Sequence, residues 1–358
     1  MVGETIPLDL MPSSRGRLGL TRRFPVGPVA GISPFNFPLN LAAHKVAPAL
    51  ASGCSIVLKP PSKDPLVMLA VAELLEEAGV PAGAVSVLPM SRRMGDRLVE
   101  DPRFKVLSFT GSPSVGWDMK ARAGKKKVVL ELGGNAGVIV DRDADLAWAV
   151  KRTLVGAYTY AGQVCISVQR MFVHEAVWDE FLARFAEGAS HLRVGDPLDP
   201  ETEVGPMVDA AAARRTQAWV EEAVGLGGTV RLGGQADGAY FQPTILTDTP
   251  VTARVCSNEA FAPLVVAFPF SDFGDAVRQV NDSFYGLQTG VFTNDLGHAF
   301  QAFEELEVGG VIVNDIPTYR IDHMPYGGVK DSGQGREGLR WAIEDMTELR
   351  IMVLAWPG

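Results

Sequence analysis

The sequence predicts an α/β fold: a doubly wound parallel sheet, a second α/β region after it, and β-strand arms at the two ends. Three observations lead there. From Val26 onward short apolar runs alternate with helix-like runs, a pattern that right-handed crossovers turn into a parallel sheet. Beyond Gly137 a second series of the same kind begins. At both ends the pattern is that of an extended chain with no helix to cover it, and such a strand usually finds its partner elsewhere, often in another subunit.

Residues 4–23 read as the first arm, with Arg15, Arg17, Arg22 and Arg23 around the alternating Leu18-Gly19-Leu20-Thr21. Val26 to Ile32 reads as a strand, Pro38 to Ser52 as a helix closed by Gly53, and Ser55 to Leu58 as a strand. Asp64 is expected to cap a helix with Pro65 at its first position, and Gly79 to end it. Ala84–Leu88, Lys105–Phe109 and Lys127–Leu132 supply further strands, and Ser112-Pro113 opens a helix that Gly124 closes. The second region reads as a strand from Gly137 to Val140, a helix over 143–160, a strand over 168–174 and a helix over 177–188. After a loop-rich stretch come a helix around Ala211 to Val224 and strands near Thr229, Val265, Val291 and Val311. The last arm, Leu349 to Trp356, is free to pair with the opening ribbon or with a neighbour's sheet.

A chain of 358 residues holds about two or three domains and a sizeable core. Its 47% apolar and 21% charged residues, with a mean hydropathy of +0.11, describe an ordinary soluble globular protein. The net charge of −9 argues against a nucleic-acid surface, and the short Lys125-Lys126-Lys127 run leads straight into a strand. Three cysteines, Cys54, Cys165 and Cys256, are odd in number and widely spaced, so they imply no disulfide framework. The five histidines show no ligand spacing, and no metal is expected. With no signal-peptide layout and no apolar run near about 18 residues, the reading is a cytoplasmic protein.

The thiol with a catalytic setting is Cys165, in Gly162-Gln163-Val164-Cys165-Ile166-Ser167, on the connection between a helical run and a β-rich run. Glu131 ends the apolar strand before Gly133-Gly134, and Asn36 lies within Ser33-Pro34-Phe35-Asn36-Phe37-Pro38. Thiol, carboxylate and side-chain amide are the residue types of a nucleophile, a general base and an oxyanion donor. Each also has an ordinary role: a lone cysteine as core filler, a strand-end carboxylate in solvent, an asparagine between prolines holding an Asx turn. Doubly wound sheets bind ligands at the carboxyl ends of their strands. Those ends are Asn36, Lys59-Pro60-Pro61-Ser62 and Phe109-Thr110-Gly111-Ser112, all polar or small after apolar runs. No Gly-x-Gly-x-x-Gly stands at any of these turns, so the topology suggests a dinucleotide without an orthodox phosphate loop.

Together the residues carry a resemblance. Pro34-Phe35-Asn36-Phe37-Pro38, Lys59-Pro60, Phe109-Thr110-Gly111-Ser112, Glu131-Leu132-Gly133-Gly134, Gly162-Gln163-x-Cys165, Asn258-Glu259-x-Phe261 and Pro325-Tyr326-Gly327-Gly328-x-Lys330-x-Ser332-Gly333 occur in this order, from near Gly3 to Val353. The chain resembles the aldehyde dehydrogenase superfamily, enzymes that oxidise aldehydes to acids with NAD or NADP. The resemblance implies a Rossmann-like NAD(P) domain over 25–132, a catalytic domain over 133–326, and oligomerisation strands at 4–23 and 341–356 of a homo-oligomer, dimer or tetramer. It implies Cys165 as the thiolate that adds to the aldehyde, Asn36 with the Cys165 N–H as oxyanion donors, and Glu131 as the base that activates water against the thioester. It assigns the cofactor to Ser33, Phe35, Lys59, Ser62, Gly95, Phe109, Thr110, Gly111, Ser112, Leu132, Glu259 and Phe261. Lys59 is to reach the adenosine ribose, and Glu259 with Phe261 to steady the nicotinamide end.

Departures from the family pattern bear on function. Where a glycine-rich turn is usual near the pyrophosphate, this chain has Pro89-Met90-Ser91-Arg92-Arg93-Met94-Gly95, leaving Gly95 and offering two arginines to phosphate. Ser62 replaces the glutamate common in NAD-preferring members, which leaves NADP open. The family's N-terminal helical layer is not part of this sequence, which fits a fragment, a misplaced start or a short form, and a catalytically weak assembly subunit stands as an alternative. Release of the thioester to CoA is a second alternative, carried by members that commonly lack the glutamate found here as Glu131. By family position Arg320 and His323 lie near the tunnel mouth. They would steady a hydroxylated or anionic small aldehyde, of lactaldehyde or glyceraldehyde-phosphate type, or else stand as rim residues.

Overall fold

The structure, a computed structural model, describes residues 3–356. The chain divides into two compact units. One holds Met1–Glu131, Asp322–Pro325 and Gly335–Gly358, and the other Leu132–Ile321 and Tyr326–Gln334.

In the first unit β1 (Glu4–Pro7) and β2 (Arg17–Pro25) form an antiparallel ribbon. The C-terminal strand Thr347–Ala355 pairs along the whole of β2, from Arg17 opposite Ala355 to Pro25 opposite Thr347. The last arm thus pairs with the opening ribbon of its own chain. Its expected start is corrected: Leu339–Asp345 is helix, because Ala342 and Met346 turn inward and Met346 joins the core over Val46 and Ala49.

The main sheet of this unit has β3 (Val29–Ile32), β4 (Ile56–Lys59), β5 (Val85–Val87), β6 (Val106–Thr110) and β7 (Lys127–Glu131) in the order β7-β6-β3-β4-β5, all parallel. Neighbouring strands end together: Ile32 pairs with both Lys59 and Phe109, and Thr110 with Glu131. The crossovers are α1 (Pro38–Ala51), α2 (Leu66–Glu77), α3 (Arg92–Glu100) and α4 (Pro113–Arg122). Two expectations change here. Asp64 does not cap α2; Pro65 occupies the cap position and no side chain bonds there. The stretch after Met90 is the helix α3, with the Ser91 hydroxyl accepting from the Met94 N–H. Gly95, Leu98 and Val99, three and four residues apart, form its buried stripe under an arginine-rich outer face.

In the second unit seven strands lie in the order β10-β11-β12-β9-β8-β13-β14. They are β8 (Gly137–Val140), β9 (Arg170–His174), β10 (Thr229–Leu232), β11 (Thr244–Thr247), β12 (Leu264–Phe270), β13 (Gln288–Phe292) and β14 (Gly310–Val313). Only the β10–β11 pair in this sheet is antiparallel. The four central strands are buried over nearly their whole length, as a sheet covered on both faces must be. One face packs on α5 (Leu146–Tyr158) and α6 (Trp178–Ser190), where Tyr158, Phe185 and Phe181 stack in sequence at 5.9 Å ring spacings. Asp145 caps α5 through the Trp148 N–H, so the helix begins three residues later than its polarity suggested.

Candidate active site

In the first unit the expected residues collect at the carboxyl ends of the parallel strands. The Ser33 N–H donates to the Lys59 carbonyl at 3.2 Å, and the Gly111 N–H to the Glu131 carbonyl at 3.0 Å. Asn36 is 5% exposed, on the turn from β3 into α1, and Phe37 after it is held left-handed at φ 47°. A bulky residue in that region stores strain, and strain of this kind collects at functional sites. Glu131 is 2% exposed, which removes the reading of a solvated strand-end carboxylate. Lys59 is likewise buried, with its ammonium at 3.2 Å from the Pro60 carbonyl and 3.5 Å from the Ser62 hydroxyl; burial lowers its pKa.

These residues fit a dinucleotide on two counts. The buried Ser33 Oγ has no hydrogen-bond partner among the described residues, a hydroxyl that a ligand group would satisfy. Gly95 lies against the Lys59 stem so closely that a Cβ would stand 3.1 Å from it, so the glycine leaves the stem its room. A Cβ on Gly111 would meet the Phe109 ring at 2.5 Å, so a side chain there would have to displace that ring. Ser62 and Ser112 are exposed, Ser112 opening α4 without capping it, while Arg92 and Arg93 lie exposed in the first turn of α3. His323 is exposed and belongs to this unit, whereas Arg320 belongs to the second.

In the second unit the sequence Tyr160-Ala161-Gly162 leaves α5 with three consecutive left-handed residues at φ 56°, 53° and 65°, and this turn aims Cys165. Gln163 fixes the loop: its Oε1 accepts from the Val208 N–H at 2.7 Å, and its Nε2 donates to the carbonyls of Tyr160 and Pro206. Both flanking glycines are required. A Cβ on Gly162 would stand 2.0 Å from the Ala262 carbonyl oxygen, and one on Gly134 would stand 2.4 Å from the Cys165 carbonyl oxygen. Cys165 is half-buried, while Cys54 and Cys256 are buried. Burial pushes the Cys256 thiol up to about 12, Arg170 opposing it, so that thiol stays protonated near neutrality.

Glu259 is held beside Cys165's neighbours. Gln169 grips its segment through the carbonyls of Val255 and Asn258 and the N–H of Ala260. Its carboxylate accepts the Gly134 N–H at 2.9 Å and lies where a Cβ on Gly133 would be, 2.3 Å from Oε2. Burial pushes the carboxyl up to about 7, against the opposing pull of the Gly134 N–H and Arg215. The following Phe261 is left-handed at φ 49°. Leu132 opens this unit and donates its N–H to the Ser332 carbonyl at 3.0 Å.

Two features escaped the sequence reading. Tyr326 is 2% exposed, with its hydroxyl 3.0 Å from Cys165 Sγ and the Arg320 guanidinium 3.7 Å above its ring. In the first unit the fully buried Lys45 donates to Glu337 at 3.1 Å, to Thr110 Oγ1 at 2.7 Å and to Ser108 Oγ at 3.2 Å. The motif spelling contains Tyr326, and the helical stripe of α1 contains Lys45, but neither pattern reveals a partner so remote in sequence.

One unit sets buried polar residues at the carboxyl ends of parallel strands, where such sheets bind ligands, and the other presents a half-buried thiol on a left-handed loop, the features of an α/β enzyme. The aldehyde dehydrogenase family model matches residues 1–352, and the chain belongs to that family. It is 48% identical over 353 residues to a 3-sulfolactaldehyde dehydrogenase of Priestia aryabhattai, covering 98% of this chain and 74% of that protein. Over 357 residues it is 43% identical to a lactaldehyde dehydrogenase of Methanocaldococcus jannaschii, covering 98% of this chain and 75% of the other. Among solved structures, aldehyde dehydrogenase 21 from Physcomitrella patens, in complex with the reaction product succinate, superposes with a TM-score of 0.97. It is 49% identical and covers 99% of this chain and 74% of its own. A glyceraldehyde-3-phosphate dehydrogenase of Methanocaldococcus jannaschii complexed with NADP superposes with a TM-score of 0.94 at 42% identity, covering 99% of this chain and 77% of that one. Among the described residues no helix is long and apolar enough to cross a membrane.

Proposed function

We propose that this aldehyde dehydrogenase is hydrolytic, uses NAD or NADP, and acts on a short aldehyde carrying an anionic or hydroxyl group. The observation that carries the reading is the setting of Cys165: the half-buried thiol of the three, on a loop held between Gly134 and Ala262, in a unit that also holds Arg320. The Cys165 thiolate attacks the aldehyde carbon, and the electron pair of the C=O bond moves to oxygen. The amide of Asn36 and the Cys165 N–H stabilise that oxyanion. When bound, the nicotinamide supplies the two-electron acceptor for hydride leaving the same carbon. Glu131 takes a proton from water as it attacks the thioester, and acid and thiol are released. We read the first unit as the cofactor half, with Ser33, Phe35, Lys59, Ser62, Gly95, Phe109, Thr110, Gly111 and Ser112 toward the dinucleotide. Leu132, Glu259 and Phe261 serve its nicotinamide end.

The relatives support the substrate class. The curated ones named above act on sulfolactaldehyde and lactaldehyde, and the solved ones carry succinate or NADP. Arg320 supplies the cation for an acidic tail, and His323 stands as a rim residue or a second contact. The terminal strands support a homo-oligomer, and free thiols suit a reducing compartment such as the cytoplasm. The test is a comparison of kcat/KM for an aldehyde with a carboxylate, sulfonate or phosphate tail and for a neutral aldehyde of equal length. The expected preference for the anion is about tenfold or more, the worth of one charge-assisted hydrogen bond. Equal values for both aldehydes would remove Arg320 from substrate recognition.

A further inference from the structure

We propose that Tyr326 is the hydrogen-bond donor that stabilises the Cys165 thiolate, and that Arg320 strengthens it by stacking on its ring. The proposal rests on Cys165 as nucleophile and assigns a role to a residue beyond the thiol, amide and carboxylate already named.

The geometry is compact. Tyr326 Oη lies 3.0 Å from Cys165 Sγ, and the guanidinium carbon of Arg320 lies 3.7 Å from the centroid of the same ring. Either atom can donate while the thiol is protonated. The order of acidity decides between them: a free thiol loses its proton near pH 8.5 and a phenol near pH 10, in approximate terms. As pH rises the sulfur ionises first, and the phenol, still protonated, donates to it. A cation over the ring face draws electron density from the phenol and makes its O–H a stronger donor. Tyr326 is 2% exposed while Cys165 and Arg320 are half-buried, so water reaches both contacts only from one side.

Both partners lie on segments tied into this unit, one of them to the Cys165 loop itself. Thr318 Oγ1 donates to the Ile166 carbonyl at 3.1 Å, and Gln288 Nε2 donates to the carbonyls of Pro317 and Tyr319, holding the strap that carries Arg320. The Arg152–Asp315 pair, at 2.6 Å, anchors the root of that strap. On the other side Gly309 packs where a Cβ would stand 1.7 Å from the Gly327 carbonyl oxygen, fixing the residue after Tyr326. Ser332 ties the same turn to Gly133, donating to its carbonyl at 2.7 Å. Glu259, which takes the Gly134 N–H, titrates at about 7, so its charge changes within the range of interest.

The test is the pH profile of Cys165 alkylation by iodoacetamide on the purified full chain without substrate, with the labelled peptide mapped. The parent, Tyr326→Phe, Arg320→Met and Arg320→Lys are each measured in a Glu259→Gln background, which removes the second titration. Tyr326→Phe should raise the thiol pKa by about one unit, the worth of a hydrogen bond to a charged group, and slow alkylation near neutrality about three- to fourfold, the tenfold loss of thiolate being partly offset by its greater nucleophilicity. Above the thiol pKa its rate should equal or exceed the parent's, because a more basic thiolate is the better nucleophile. Crossing profiles of that kind separate thiolate stabilisation from damage to the loop, which lowers the rate at every pH or leaves the thiol unshifted. Arg320→Met should shift the profile the same way by less, and Arg320→Lys should restore part of the shift. If Tyr326→Phe fails to fold, the two Arg320 variants still decide the matter through the intact tyrosine. Unshifted profiles in all variants that fold overturn the proposal while leaving Cys165 as nucleophile. Preferential labelling of Cys54 or Cys256 in the parent overturns the nucleophile itself.

Discussion

Glu259 is a carboxylate that the fold holds against its preference for water. The missing side chain of Gly133 gives it room, the Gly134 N–H gives it one hydrogen bond, and burial outweighs both by pushing its pKa up to about 7. In the unfolded chain a glutamate titrates near pH 4.3, in approximate terms. The folded protein therefore holds this proton to a higher pH than the unfolded chain does. Stability accordingly falls as pH rises from the unfolded value to about 7, and above that the loss is complete. Glu259→Gln removes the ionisation, so its denaturation midpoint should gain on the parent's mainly on the alkaline side of that window. An equal difference on both sides would mean that the side chain acts by packing alone. The burial of Glu131 and Asn36 and the loop position of Cys165 were legible because the motifs around them place each at a strand end or on a connection; their proposed roles rest on those motifs, since each role demands one residue type. Tyr326 and Arg320 were not legible, because their contact depends on how two loops are strapped together, which no local spacing encodes.

Among the elements, the parallel strands were legible from their apolar runs and the crossover helices from their breakers. The exceptions share a cause. Helix α3 presents a polar, arginine-rich face with only Gly95, Leu98 and Val99 turned inward, and so read as a turn near phosphate. Residues 341–345, which belong to the helix Leu339–Asp345, read as the beginning of a strand because the Met346 that ends it serves a core built from α1. Lys45 and Glu337, 292 residues apart, meet in a fully buried ion pair that no periodicity announces. At the carboxyl end of β4, Lys59 is buried and Ser62 exposed, so this element fixes the amine without placing a carboxylate to repel a 2′-phosphate. The cofactor preference should then be loose, with kcat/KM for NAD and NADP within about a hundredfold, less than a buried unpaired group would impose. A larger ratio would assign the choice to another residue, with Lys63 the first to replace.

For the whole molecule, the three-stranded terminal sheet is the feature that one chain does not explain. Leu349, Ile351, Met352 and Val353 are all exposed on it, although they alternate between its two faces. Exposed apolar strands of this kind are covered by association or lead to aggregation. Light scattering on the purified chain should give a homo-oligomer built on dimers, and a monodisperse monomer would refute that. Covalent catalysis by Cys165 and then Glu131 divides turnover into two stages that can be timed separately. Rapid mixing of Glu131→Gln with aldehyde and cofactor, monitored by the absorbance of the reduced nicotinamide, tests it most directly. A burst of about one equivalent per site is expected and then turnover slowed roughly 10²–10⁴-fold, because hydride transfer precedes the step that needs the base. A missing burst, with Cys165 still reactive toward iodoacetamide, would contradict it by placing Glu131 before hydride transfer.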